Sequence, residues 1–234
     1  MIKAVFITGA DKGLGFSLVQ QFLRVGVRVF AGQYHANSDL FGLAKSFPQA
    51  LIPIPLDVTQ LDSVSQAAGT VAKLVPALDI LINNAGVMLE KRTPLLELDL
   101  ARLPLFETLD VNAFGPLRMV QQFLPLLEKG EHKLILNISS EAGSIAECWR
   151  ESEFAYSMSK AALNMQSKIL QNYLKPRGFK ILAVHPGWMR TDMGGADADI
   201  NADEAAEGIF KLAVKKWNPD DEIYMDYRAQ PMNW

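Results

Sequence analysis

Residues 4–25 read AVFITGADKGLGFSLVQQFLRV, and their order decides the fold. Residues 4–8 are apolar or β-branched, the composition of a strand covered on both faces. From Leu14 onward, Leu18, Val19, Phe22 and Leu23 recur at helical spacing, as on the buried stripe of a helix. Between strand and helix, Gly9, Gly13 and Gly15 form a turn of the pattern G-x-x-x-G-x-G. Glycines there let the backbone close on a pyrophosphate, whose charge then meets free N–H groups and the positive end of the helix dipole. The spacing departs from the G-x-G-x-x-G dinucleotide fingerprint, and an ordinary tight turn between strand and helix also uses glycine.

Outward from this unit the alternation repeats. Strands are expected at 4–8, 27–31, 50–54, 79–83, 133–139, 180–185 and 222–226. Helices are expected at 14–25, 63–74, 106–127, 154–174 and 204–216, with a weaker helical pattern at 40–47. Strands this apolar need cover on both sides. The expected architecture is therefore α/β: a single-domain Rossmann fold over residues 1–234, with a doubly wound, seven-stranded parallel sheet and helices on both faces. No internal repeat or linker divides the chain. Residues 87–105 and 188–202 are the longest irregular stretches, and loops of that length in a compact domain usually carry function.

The bulk properties exclude several classes of function. The chain has 234 residues, of which 49% are apolar and 21% charged, ample for a large core. A net charge of −3 and a pI near 5.7 give no cationic stripe for nucleic acid. The single cysteine, Cys148, forms no intrachain disulfide and needs no oxidising compartment. Neither a signal-peptide pattern nor an apolar run of about 20 residues is present, so a cytoplasmic protein with no membrane association and no metal is expected.

Further motifs fall at the carboxyl ends of the strands, where open α/β sheets bind ligands. Asp57 and Val58 follow the third strand; the carboxylate could accept from an adenine amino group, or cap the next helix. Asn83, Asn84, Ala85 and Gly86 end the fourth strand, either making room for a ribose or simply closing a turn. Ser139 and Ser140 end the fifth, with a hydroxyl that could hold a carbonyl oxygen. Tyr156 and Lys160 lie one turn apart on a helix face. An ammonium at that distance, together with an oxidised nicotinamide, would favour phenolate and draw Tyr156 down from about 10 toward the range of a general acid and base. A surface Tyr–Lys pair is the bland alternative. Asn112 is a mediocre helix former inside a helical segment. His185, Pro186 and Gly187 end the sixth strand, and Thr191 follows within reach of a bound carboxamide, though Pro-Gly also serves plain turns.

In this order, TGADKGLG, DV, NNAG, Asn112, NISS, YSMSK and HPGWMRT resemble the short-chain dehydrogenase/reductase family from Ala4 onward. The segments SKAALNM, HPGWMRTDMGG and MDYRAQPMNW look like its C-factor-like branch, akin to sniffer-type carbonyl reductases. The resemblance implies a catalytic set of Asn112, Ser140, Tyr156 and Lys160. In that set Ser140 orients the substrate oxygen, Tyr156 exchanges its proton, Lys160 binds the nicotinamide ribose and Asn112 holds a relay water. It implies cofactor contacts from Gly9, Gly13, Gly15, Asp57, Asn84 and Thr191; beside them Asp11, Lys12, Leu14, Gln33, Tyr34, Val58, Ala85, Gly86, Tyr156, Lys160, Pro186, Gly187 and Trp188 are expected to line the cofactor site. It also implies a homodimer, or a tetramer built from it, through the segments 106–127 and 154–174.

At the end of the second strand stand Gln33, Tyr34 and His35, where NAD-preferring relatives carry an acid. With Lys12 able to pair with a 2′-phosphate, NADP(H) is expected over NAD(H). Met88, Cys148, Trp149, Trp188 and Met193 would line an open, apolar substrate pocket, unless they are core. The expected activity is hydride transfer between NADP(H) and a small carbonyl or alcohol. The rival is a dinucleotide-binding sensor or cell–cell signalling protein of C-factor type with little turnover.

Overall fold

The computed structural model describes residues 2–90 and 92–234; Met1 and Lys91 lie outside the described residues. Seven parallel strands form one sheet: β1 (Ala4–Ile7), β2 (Arg28–Gln33), β3 (Leu51–Pro55), β4 (Ile80–Asn83), β5 (Leu134–Ile138), β6 (Lys180–His185) and β7 (Tyr224–Asp226). Their order is β3-β2-β1-β4-β5-β6-β7. The chain winds outward from β1 to one edge, returns to β4 and winds to the other. The crevice beyond the carboxyl ends of β1 and β4 is thus the switch point at which such sheets bind ligands.

Successive residues of β1 show why the strands read as unbroken apolar runs. Val5 and Ile7 pack with Leu18, Phe22, Leu40 and Ile209, from α1 (Gly13–Arg24), α2 (Ser38–Ser46) and α7 (Ala202–Val214). Ala4 and Phe6 enter the opposite core with Val71, Phe123 and Leu170, from α3 (Leu61–Leu74), α5 (Gly115–Leu127) and α6 (Phe154–Leu174). Each face of the sheet is sealed by three helices, so both side-chain sets of β1 must be apolar.

The sequence pattern over 106–127 predicts one regular helix. The chain instead forms a short α4 (Leu105–Leu109), a π-helical turn (Asp110–Phe114) and then α5. The wide turn presents Asn112 to a neighbouring backbone: its Oδ1 accepts from Val87 N at 2.8 Å and its Nδ2 donates to Val87 O at 2.8 Å. Such turns within α-helices concentrate at functional sites. The remaining boundaries shift by a few residues, with β2 running on to Gln33 and α7 starting at Ala202.

At the opposite, amino-terminal edge, the buried carboxylate of Asp79 joins three segments. It accepts from the backbone N–H groups of Lys3 (2.7 Å), Ala4 (3.2 Å) and Glu131 (3.0 Å). Asp79→Ala would leave these donors without their acceptor where water enters poorly. A loss of about 3 kcal/mol or more is expected, measured as a lower midpoint in urea with an unchanged slope.

Candidate active site

Two ties between β1 and β4 build the glycine turn. Thr8 Oγ1 accepts from the N–H groups of Asn84 and Ala85, both at 2.9 Å. Asn84 Nδ2 donates to the carbonyls of Thr8 and Gly9, both at 2.9 Å. Gly9 and Gly13 adopt left-handed φ values of +60° and +52°. A Cβ on Gly15 would stand 2.0 Å from the Gly9 carbonyl oxygen, so only glycine lets α1 start so close to the end of β1. No side chain caps α1, and its first turn carries no acid. Its free N–H groups and dipole are left for an external anion.

Around this turn stand the other expected cofactor residues. Thr191 lies over Gly13, its Cγ2 being 3.5 Å from where a Cβ would sit. Lys12, expected beside a 2′-phosphate, binds Asp192 at 2.6 Å. Both ends of that pair are exposed, so it is weak and exchangeable. Gln33 is buried at the end of β2 with an orphaned Oε1, while Tyr34 is exposed. An unmet buried acceptor here fits a ribose hydroxyl, and the same amide turned over offers its NH₂ group to a phosphate. Asp57 Oδ1 accepts from Thr59 N at 2.9 Å and Thr59 Oγ1 at 2.7 Å, so part of this carboxylate does serve the turn into α3. Gly187, at φ +83°, faces Ile200 and Tyr227 just after β6.

The Tyr156 and Lys160 side chains point to the same rim. Lys160 Nζ lies 5.6 Å from the Tyr156 ring centroid and donates to the Ile138 carbonyl at 2.9 Å. The two residues are only 9% and 5% exposed, which removes the surface-pair reading. A Cβ on Gly86 would fall 3.3 Å from Asn112 Oδ1 and 3.7 Å from Lys160 Nζ, so the glycine ending NNAG keeps open the space over both groups. Asn112 Nδ2 also donates to Ser159 Oγ at 2.9 Å, and Ser159 Oγ to the Tyr156 carbonyl at 2.7 Å. The serines divide their duties. Ser139 donates to Asn164 Oδ1 at 2.6 Å inside the core, whereas Ser140 meets the Tyr156 hydroxyl.

One expectation is corrected. Lys160 is expected to lower the pKa of Tyr156, yet burial pushes the phenol above its ordinary value, and the groups acting in the lowering direction are the Ser140 hydroxyl and the Arg150 cation. Burial likewise brings Lys160 down to about 8. Desolvation penalises each charged form more than the neighbouring charges favour it.

Several groups at this rim carry no sequence signal of their own. Glu90 accepts from the N–H groups of Ala155 (3.1 Å) and Tyr156 (2.7 Å), placing a carboxylate at the amino end of α6. Glu153 immediately precedes α6 in a left-handed conformation, φ +64°. Its carboxylate is held by Arg150 and by Arg92 at 2.8 Å. Glu141 bonds Ser140 at 2.6 Å and pairs with Arg150. The density of charge between Glu141 and Glu153 is the one hint the sequence offered.

Of the suggested pocket residues, Cys148, Trp149, Trp188 and Met193 are exposed and Met88 is half-buried, so they are not core. They sit on the segments following β4, β5 and β6, which share the rim with Tyr156. A concavity of about 290 Å³ between His132, Lys180, Lys216 and Trp217 opens instead at the amino-terminal edge, remote from this chemistry. Among the described residues no helix is long and apolar enough to cross a membrane.

Comparison with known proteins agrees with this geometry. The chain is 37% identical over 157 residues to the C-signal protein of Myxococcus xanthus, spanning 67% of this chain and 92% of that one. The structure of NADPH-bound carbonyl reductase from chicken fatty liver matches with a TM-score of 0.90 at 31% identity, over 100% of this chain and 99% of that one. The carbonyl reductase Sniffer of D. melanogaster matches with a TM-score of 0.91 at 27% identity, over 100% of both chains. Both parts of the expected branch are thus represented among its relatives. A family model described as short chain dehydrogenase matches residues 3–202, the greater part of the sequence, and this chain belongs to that family of oxidoreductases.

Proposed function

We propose that the protein reduces small carbonyl compounds with NADP(H), Tyr156 giving the proton. The observation that carries this reading is the buried Tyr156–Lys160 pair, with Lys160 beside Gly86 at the end of β4 and Ser140 against the phenol. When bound along the glycine turn, NADP(H) supplies the hydride. The residues of the chain do the rest. Ser140 and the Tyr156 hydroxyl fix the carbonyl oxygen, and the phenol passes its proton to that oxygen as negative charge develops. Because burial keeps Tyr156 protonated at neutral pH, the acid is present in the form that reduction requires. Lys160 holds the ribose side, Arg150 favours the phenolate left behind, and Asn112 fixes the water through which the proton is restored. A protein that only senses a dinucleotide has no use for a phenol and an ammonium desolvated together, so the likeness to C-signal does not displace the enzymatic reading.

Tyr156→Phe keeps the ring and removes the proton. Turnover of aldehydes, ketones or quinones, followed by NADPH absorbance, is expected to fall by about 10²- to 10⁴-fold, while NADPH binding measured by fluorescence is kept. In the wild type the rate of reduction should hold through neutral pH and decline above about pH 8, where Lys160 loses its charge. Undiminished turnover in the phenylalanine variant refutes the assignment.

NADP(H) is favoured over NAD(H) because Lys12 is a cation beside the glycine turn, exchangeable from Asp192 to a 2′-phosphate, and because β2 ends in Gln33 and Tyr34 with no acid. For Lys12→Ala, kcat/KM with NADPH should fall about 10-fold, the worth of one charge-assisted contact, while kcat/KM with NADH stays level. Equal loss with both cofactors would remove Lys12 from this role.

We further propose a homodimer joined across the α4–α5 and α6 faces. Phe106, Met165, Ile169 and Tyr173 are 81%, 62%, 58% and 60% exposed there, apolar side chains that a second copy would cover. Sedimentation should give twice the chain mass, and the double substitution Met165→Asp with Ile169→Asp should halve it; a monomeric wild type contradicts this.

A further inference from the structure

Glu141 follows Ser140 directly and turns its carboxylate inward, into the machinery assigned above. Glu141 Oε2 receives the Ser140 hydroxyl at 2.6 Å, and Oε1 receives the Arg150 guanidinium, which also reaches Glu153. Ser140 Oγ in turn accepts from Ala142 N at 3.1 Å. A serine hydroxyl has one proton. In this structure that proton is committed to Glu141, and it reaches the phenol or a substrate oxygen only by leaving the carboxylate.

We propose that Glu141, held by Arg150, is a positioning residue for the reaction: it sets the direction of the Ser140 hydroxyl and places a carboxylate charge beside the Tyr156 phenol, which keeps the phenol protonated. This rests on Tyr156 being the proton donor. The charges around the phenol are Glu141 and Arg150 from the segment after β5 and Lys160 on its own helix. Glu90 and Arg92 come from the segment after β4, and His185, beside Glu141, from the end of β6. His185 Nδ1 accepts from Glu141 N at 3.2 Å, and burial lowers its pKa below the ordinary histidine value, so it is neutral at pH 7. Burial opposes ionisation of Glu141, but Ser140 and Arg150 hold it below the ordinary carboxylate value, so it is an anion. That anion works against phenolate at Tyr156 and for ammonium at Lys160, whereas Arg150 favours phenolate.

Glu141→Gln tests the arrangement almost isosterically. Arg150 has donors alone, so it takes the new amide oxygen and leaves the NH₂ group toward Ser140 Oγ. The serine proton then swings to Tyr156 and stabilises phenolate. Tyr156 and Lys160 titrate as a coupled pair, and loss of the Glu141 charge moves both the same way. The alkaline limb of kcat/KM for NADPH-driven reduction should shift about one unit to lower pH, with the NADPH dissociation constant unchanged within about two-fold. Arg150→Gln removes the cation and should shift the limb to higher pH.

Without cofactor, the ¹³Cζ resonance of Tyr156, identified as the one lost in Tyr156→Phe, should move its titration in the same two directions. Opposite shifts support the proposal, since general loosening of the site would not produce them. Unmoved limbs, or shifts of one sign in both variants, overturn it; if one variant does not fold, the sign of the other decides. Should Tyr156→Phe retain turnover, the functional reading fails first; a dead phenylalanine variant beside an unshifted Glu141→Gln profile defeats this inference alone.

Discussion

Keeping an ammonium and a phenol together out of water is the constraint to which the rest of this structure answers. Neither Lys160 nor Tyr156 is placed where it would be most comfortable: burial lowers the first and raises the second. Such groups stay folded inward only if their surroundings over-determine them. Lys160 is anchored on the carbonyl that ends β5, and Tyr156 has its own N–H bound by Glu90 and its own carbonyl by Ser159. The sheet supplies the fixed carbonyl, the helix the spacing, and the two long loops the acids that hold the amino end of the helix.

A second polar system runs beneath the first. Asn83 Nδ2 donates to Asn137 Oδ1 at 2.8 Å, Asn137 Nδ2 to Ser167 Oγ at 2.9 Å, and Ser167 Oγ to the Leu163 carbonyl at 2.7 Å. Asn164 bonds Ser139 on one side and the Gly143 carbonyl at 3.1 Å on the other. These residues tie β4, β5 and α6 together below the reacting groups. Apolar contacts would hold the same elements at comparable energy, but would tolerate small slides along the helix axis; paired amides do not. The register between Tyr156 and the sheet rim is thus set by hydrogen bonds, and the cores on either side add the bulk of the stability.

Fold and catalytic pair were legible for a common reason: each is written in short-range periodicity. Strand alternation, the helical stripe of α1, the glycines at Gly9, Gly13 and Gly15, and the four-residue interval from Tyr156 to Lys160 all involve neighbours along the chain. What escaped reading involves partners far apart in sequence. The π turn at Asn112 answers to Val87, 25 residues earlier, and Glu90 reaches a helix 66 residues later. The acidity of Tyr156 escaped for a different reason. Spacing discloses which charge stands nearby but not how much water has been removed, and desolvation decided the sign.

The same distinction bears on how a site of this kind is tuned. The groups legible in sequence are those that meet substrate and cofactor, and their geometry leaves little room for change. Glu141, Arg150 and Glu153 touch neither the glycine turn nor Lys160, yet they bracket the Tyr156 helix between two loops and set the charge around the phenol. Glu153 holds a left-handed backbone that a non-glycine residue adopts only at a cost, and its two arginine partners offset that cost. Substitutions in such a frame alter the balance between phenol and phenolate without displacing the reacting atoms. A frame of this kind lets one constellation of Asn, Ser, Tyr and Lys serve reactions of different direction and pH range, with the adjustment made one residue away from the chemistry.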